Sequence, residues 1–94
     1  MELGKITGQV VSTARHPKLP YMTFLLVDIV DVEGNVLARG QVAADSIGAG
    51  IGELVMLSRG SSARMIHDDQ SPIDLCVVGI IDQVSSGHKS LYTK

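Results

Sequence analysis

The residues of this chain whose types and spacing come closest to a chemical function form a glycine-rich run. Residues 45–53 read Asp-Ser-Ile-Gly-Ala-Gly-Ile-Gly-Glu. In nucleotide-binding loops, glycines let backbone N–H groups at a helix N-terminus hold a phosphate. Here the third glycine, Gly52, comes one residue too early for the dinucleotide fingerprint, and no Gly-Lys-Ser/Thr ending follows. We therefore predict a tight loop whose amides bond to Asp45, to Glu53 or to a neighbouring chain.

Two polar clusters further along the chain contain residue types that occur in metal and catalytic sites. His67-Asp68-Asp69 could supply ligands, but adjacent ligands rarely converge on one ion, and no second His/Cys pair stands at ligand spacing. We interpret this segment as a solvated loop. Ser61 and Ser62 lie near Arg64 and His67, yet the sequence establishes no nucleophile, base and orienting group. We predict instead that the serines cap a short helical turn.

Arg64 and Cys76 are the remaining reactive or charged candidates. Arg64 could form a bidentate ion pair with a carboxylate of another chain, or it could stay solvated, and both interpretations stand. Cys76 is the one cysteine of the chain and lies in an apolar run, which predicts a buried structural thiol in a reducing compartment. No cofactor, metal site or catalytic residue is expected, and the chain is predicted not to be an enzyme.

Hydrophobic periodicity predicts that most of the chain forms strands. The runs 23–32 and 54–57 are apolar on both faces, so both faces should be covered. Glu33-Gly34-Asn35 is typical of a turn joining two strands of a hairpin. The predicted strands cover residues 5–10, 23–32, 36–42, 54–57 and 77–81.

Short helical turns and loops are predicted between these strands. One turn of helix is expected over 62–66 and another from Ser71-Pro72, which supplies a cap and a first-turn proline. Residues 85–88 are predicted to form a loop and Leu91-Tyr92 a small return strand. Many short strands with little helix predict an all-β fold, a small five-stranded OB-like barrel with one or two short helical turns.

Composition limits the class of protein. The chain has 94 residues, of which 45% are hydrophobic and 3% aromatic, so it predicts a single domain over 1–94 with a large aliphatic load. A neighbouring subunit could cover part of that load, or the chain could be a well-filled monomer. Eight Lys and Arg against ten Asp and Glu, without a basic run, argue against nucleic acid as a partner. No apolar stretch is long enough for a membrane helix, and residues 1–5 lack a signal-peptide core.

Several segments taken together resemble the EutN/CcmL family, the pentameric vertex proteins of bacterial microcompartment shells. Residues 71–87 are more similar to its ethanolamine-utilisation members than to its carboxysomal members. The segment Pro20-Tyr21-Met22-Thr23 departs from the usual approach to the second strand. The matching segments are Gly8-Gln9-Val10-Val11-Ser12-Thr13, Phe24-Leu25-Leu26-Val27, residues 42–53, Gly60-Ser61-Ser62-Ala63-Arg64 and residues 71–82.

The resemblance implies a barrel that assembles as a ring, a homopentamer that caps the vertices of a shell built from hexameric shell proteins. It implies a structural role in the bacterial cytoplasm, around enclosed enzymes, with no cofactor, nucleic acid or membrane. An OB-type oligonucleotide-binding module is the alternative, although the aromatic residues are few and scattered. We expect the subunit interface or the central axis at two segments. Their residues are Asp45, Ser46, Ile47, Gly48, Ala49, Gly50, Gly52, Glu53, Gly60, Ser61, Ser62 and Arg64.

Overall fold

Strands dominate the computed structural model, which describes residues 1–66 and 70–94. They account for 53% of the described residues against 4% for helix, which confirms the predicted all-β class. The elements in chain order are β1 (Glu2–Val10), β2 (Thr23–Val30), β3 (Val36–Asp45), β4 (Leu54–Arg59), α1 (Ser61–Arg64), β5 (Leu75–Ile80), β6 (Gln83–Ser86) and β7 (Lys89–Thr93).

Five of these strands close into a barrel in the order β1-β2-β3-β5-β4. Every neighbouring pair is antiparallel except β3 and β5, which run parallel and meet at the single pair Ala44 and Cys76. A five-stranded Greek-key barrel is the OB architecture, so the predicted OB-like barrel is confirmed. Among the described residues, β6 and β7 pair only with each other, as a separate two-stranded sheet.

The barrel interior follows from the period-two patterns of its strands. Alternate residues of β2 point inward, and Leu25, Val27 and Ile29 are buried while their neighbours are partly exposed. They pack with inward residues of the other four strands. The core consists of Ile6, Leu25, Val27, Ile29, Ala43, Val55, Leu57, Leu75 and Val77.

A second apolar cluster covers part of the outer barrel wall. Its buried members are Ala44, Ala63, Ile73 and Cys76, and the loop residues Leu19 and Met22 pack against it together with Phe24. The outer face of β2 is therefore partly covered by the chain itself. Other outward apolar side chains stay in contact with solvent in the single chain, among them Val42 at 48% and Met56 at 39% exposure.

Two of the predicted elements are wrong. No helical turn starts at Ser71: this serine is buried, and the Ile73 N–H donates to the Ser71 carbonyl at 2.9 Å. Ile73 is drawn into the second cluster and β5 begins at Leu75, which leaves no room for a turn of helix. The loop predicted over 85–88 is instead a hairpin, because β6 continues to Ser86 and Gly87 turns the chain with φ 59°.

Candidate assembly site

A buried carboxylate holds the first half of the glycine-rich loop. Asp45, the last residue of β3, is 4% exposed. Its Oδ1 accepts the Ile47 N–H at 2.9 Å, and its Oδ2 accepts the Ala49 N–H at 2.9 Å. The Gly48 N–H lies between both oxygens, at 3.3 and 3.2 Å. The loop is thus folded around the Asp45 carboxylate.

A second carboxylate closes the other half of the loop. Glu53 accepts the Gly50 N–H on Oε1 at 2.6 Å and the Lys94 ammonium on Oε2 at 2.5 Å. The Gly52 N–H donates to the Ile6 carbonyl at 2.8 Å, which ties the loop to β1. The prediction that the loop amides bond to Asp45 or Glu53 is confirmed. A phosphate here would have to displace these carboxylates, because the N–H groups of residues 47–50 already have acceptors.

The Glu53–Lys94 contact shifts the ionisation of both groups. Hydrogen bonds from Lys94 and then from the Gly50 N–H lower the pKa of Glu53. The same contact raises the pKa of Lys94. Since Lys94 follows β7, the ion pair also ties the base of the β6–β7 hairpin to the loop.

Only two of the three loop glycines need the conformational freedom expected of them. Gly48 has φ 100° and Gly52 has φ 89°, both in the left-handed region that side chains avoid. Gly50 has no such φ, and a Cβ there would meet only Glu53 Oε1 at 3.3 Å.

The second glycine-bearing segment forms the turn between β4 and α1. Gly60 has φ 71° and donates its N–H to the Asp74 carbonyl at 2.8 Å. Gly60 is the N-cap of α1, with no side-chain cap, so the prediction that Ser61 and Ser62 cap the helix is wrong. Both serines are exposed, whereas Ala63 is buried in the second cluster.

The Arg64 side chain forms no ion pair with any residue in the ranges that the structure describes, and the residue is half-exposed. The interpretation of His67-Asp68-Asp69 as a solvated loop concerns residues outside the described ranges. Over residues 1–66 and 70–94, no three metal-ligating side chains gather at one place.

The two segments lie at opposite ends of β4. The loop of residues 45–53 precedes Leu54, and the turn of residues 60–64 follows Arg59. A strand of this length spans roughly 17 Å at about 3.3 Å per residue. Among the described residues, no hydrogen bond joins the two segments. They therefore form two separate patches along the barrel wall.

Sequence reasoning missed an ionic cluster beside the second segment. Arg59 donates from Nε to Glu2 Oε1 at 2.6 Å and from Nη2 to Gln41 Oε1 at 2.8 Å. The hydrogen bond from Arg59 lowers the pKa of Glu2. The cluster links β4 with β1 and β3. Its members stand 57 and 18 positions from Arg59, so no local spacing could have indicated it.

The surroundings of the cysteine and of the aromatic residues indicate structural roles. Cys76 is fully buried, and burial raises the pKa of its thiol, as expected of an unreactive structural cysteine. The Arg15 guanidinium lies 4.8 Å from the Tyr21 ring centroid and 5.4 Å from that of Phe24. Tyr92 lies apart from them, on the separate β6–β7 sheet. The part of the chain that the structure describes holds no helix with the length and apolar character needed to cross a membrane.

The five-stranded barrel, with its glycine-rich loop held by Asp45 and Glu53, makes the chain a small OB-like barrel protein. The chain belongs to the EutN/CcmL family: the family model described as "Ethanolamine utilisation protein EutN/carboxysome" matches residues 1–82.

Individual relatives match this chain in sequence or structure over nearly its whole length. The chain is 48% identical over 95 residues to the bacterial microcompartment shell vertex protein EutN of Salmonella typhimurium, covering 100% of this chain and 96% of the relative. The structure of Gloeobacter violaceus CcmL is 42% identical, with a TM-score of 0.92, and the match covers 100% of this chain and 98% of that one. The GrpN pentameric microcompartment shell protein from Rhodospirillum rubrum is 41% identical, with a TM-score of 0.82 over 93% and 100% of the two chains.

Proposed function

We propose that this chain is a structural subunit that forms homopentamers and caps the vertices of a bacterial microcompartment shell. The observation that carries the proposal is its likeness, over the full length, to proteins named as shell vertex proteins. One structural relative of 41% identity is named as a pentameric shell protein. The alternative of an oligonucleotide-binding module has no such support among the relatives.

The surface of the single chain supports a ring. A standard interface buries about 800 Å² on each partner. A subunit in a ring makes two such contacts, which would bury more than a quarter of the 5,866 Å² surface of this chain. Exposed apolar side chains are available for this: Leu37 is 66% and Ile51 is 75% exposed.

We place the subunit contacts or the central axis at the loop of residues 45–53 and the turn of residues 60–64. The loop carries exposed Ile47 and Ile51 on a backbone held by Asp45 and Glu53. A surface fixed in advance loses little conformational entropy when another chain packs on it. The turn carries Arg64, whose five donors suit a carboxylate of another chain.

We further propose that the whole chain, 1–94, acts as one vertex domain in the bacterial cytoplasm, beside hexameric shell proteins, and catalyses no reaction. Flat layers of hexagonal tiles do not close, and a five-fold unit supplies the missing angle at each corner. The shell then retains the intermediate of the enclosed enzymes. In this role the subunit needs neither nucleic acid nor a membrane.

Native mass spectrometry of the purified chain tests the assembly. The expected mass is about 50 kDa, five times the 10.0 kDa of one chain. The mass should not change on nuclease treatment. A monodisperse 10.0 kDa species at micromolar concentration would contradict the proposal.

Electron microscopy of shells tests the vertex role. Cells that produce the hexameric shell proteins of the same gene cluster together with this chain should form closed polyhedra. Without this chain, the same cells should form open or elongated bodies. Closed shells of normal shape in its absence would contradict a vertex role, even if the pentamer exists.

A further inference from the structure

The β6–β7 hairpin stands outside the barrel. It is a separate two-stranded sheet, and the family model ends at residue 82, just before it. Its ties to the barrel lie at its base, where the Lys94 N–H donates to the Asp82 carbonyl and the Lys94 ammonium binds Glu53. A two-stranded hairpin alone is marginally stable in water, so this one gains from a surface to pack on.

The hairpin and the rest of the chain carry opposite charge. All ten Asp and Glu lie in residues 1–82, together with six of the eight Lys and Arg, which leaves that part at −4. Residues 83–94 contain Lys89 and Lys94 and no acid. Lys94 is paired with Glu53 within the chain, whereas exposed Lys89 has no ion-pair partner among the described residues.

The outer wall of the barrel has a matching groove. It lies between the end of β1, the β1–β2 loop and the segment before β5, and has a volume of about 260 Å³. That is below the ~300–1,000 Å³ typical of small-molecule pockets, so it suits side chains better than a cofactor. Its lining is apolar apart from Ser12 and one carboxylate, and includes Val10, Leu19, Phe24, Ile73 and Asp74.

Asp74 gives the groove its charge. Its side chain is exposed and forms no ion pair with a described residue, although Arg59 lies near enough to interact with it electrostatically. The Gly60 N–H binds only the Asp74 backbone carbonyl. Half-buried Val84, Leu91 and Tyr92 give the hairpin an apolar component, as the groove requires. The two surfaces are thus complementary in polarity and in charge.

We infer that the β6–β7 hairpin of one copy packs on the Asp74 groove of a second copy, with Lys89 beside Asp74. The inference rests on the proposed ring. The hairpin and the groove are different surfaces, so the contact is heterologous, and repeated head to tail it closes a ring when the rotation fits.

Charge reversal tests the contact. The variants K89E and D74K each place like charges together and should weaken every joint. The combination K89E/D74K restores opposite charges and the original net charge. Gain or loss of an exposed ion pair changes the dissociation constant of one contact by up to about 5-fold. Because a ring of five repeats the contact, the concentration at which half the rings dissociate should rise by up to about 7-fold in each single variant. It should return towards the original value in the combination.

Mixing the two single variants separates contacts between chains from contacts within one chain. A mixture sets Lys89 of one variant against Asp74 of the other, so rings containing both should form where neither variant forms them alone. In a ring of odd number, the two variants cannot alternate perfectly, and one mismatched joint remains. Recovery should therefore be incomplete. If Lys89 met Asp74 within its own chain, mixing would change nothing.

Coupling with a carbodiimide gives a direct readout, since it joins an ammonium to a carboxylate only when they touch. The wild-type ring should give a ladder of covalent oligomers with a Lys89–Asp74 peptide, and K89E should lose that peptide. The matched variant K5E, at an exposed lysine of β1, should keep it.

Unchanged dissociation in both single variants, or no recovery in the combination, overturns the hairpin contact while leaving the pentamer intact. A wild-type chain that is monomeric overturns the proposed function itself.

Discussion

At the scale of single residues, the conformation of the glycine-rich loop depends on Asp45. Its carboxylate accepts N–H groups from three successive residues and is nearly inaccessible to water. Asp45→Ala leaves those donors without acceptors, which costs about 1–3 kcal/mol for a buried group. Urea denaturation should show a loss of free energy of unfolding in that range. Ser46→Ala, at the exposed next residue, should change it by less than about 0.5 kcal/mol. Equal effects at both positions would contradict a role specific to Asp45.

The loop glycines offer a matched pair of substitutions. Gly48 has φ 100°, so Gly48→Ala forces a side chain into the left-handed region at about 1–3 kcal/mol. Gly50 lacks a positive φ and has open space apart from Glu53, so Gly50→Ala should cost less than Gly48→Ala. Thermal or chemical unfolding of the two variants measures the difference. A loss at Gly50 equal to that at Gly48 would show that crowding, rather than φ, limits this loop.

At the scale of elements, hydrophobic periodicity correctly predicted the strands that have one or both faces apolar. The first five strands were all predicted, because each has an alternating or continuous apolar pattern, and a short turn of helix was predicted after β4. β6 was missed, since Gln83, Ser85 and Ser86 are polar and Val84 alone is apolar. The turn of helix at Ser71 was predicted from its cap and proline, but packing of Ile73 decided the backbone there.

The candidate site was predictable only where its contacts are local. Asp45 and Glu53 bind amides two to four residues away, so their role in the loop could be read from the sequence. The Arg59–Glu2 and Lys94–Glu53 contacts join residues 57 and 41 positions apart. Such pairs depend on which strands become neighbours, and one sequence does not contain that information in local form.

The contact between Glu53 and Lys94 stabilises the base of the hairpin only over a defined range of pH. The Glu53 pKa is lowered from 4.5, so its contribution is present above 4.5 and is lost as the pH falls through the lowered value. The Lys94 pKa is raised from 10.5, so its contribution is present below 10.5 and is lost as the pH rises through the raised value. An NMR titration of the Glu53 carboxyl carbon should have its midpoint below 4.5. Lys94→Ala should move that midpoint upward, and an unmoved midpoint would contradict the pairing.

At the scale of the whole molecule, the surfaces that we propose for contacts with other chains are spread along the body rather than gathered in one patch. The chain is elongated, with principal extents of 48, 23 and 21 Å. The loop of residues 45–53 and the turn of residues 60–64 lie at opposite ends of β4, while the hairpin extends from the end of β5. A ring subunit needs two different faces, one for each neighbour. This distribution meets that need.

Arg64 provides the test of whether the second of these patches takes part in the ring. Arg64 is half-exposed, and its guanidinium has no ion-pair partner among the described residues of its own chain. If it binds a carboxylate of the next subunit, Arg64→Ala should weaken each joint by about 1.5–3 kcal/mol, the range for hydrogen bonds to charged groups. Arg64→Lys should recover only part of this, because an ammonium cannot form the bidentate fork.

Dilution followed by native mass spectrometry measures the loss, and urea denaturation of the dissociated chain serves as the control. Since Arg64 contributes no ion pair within the described part of its chain, the isolated subunit should unfold as the original does. Ring dissociation at the same concentration in Arg64→Ala and in the original chain would place Arg64 in solvent. The turn of residues 60–64 would then serve only to seat Ala63 against the outer wall of the barrel.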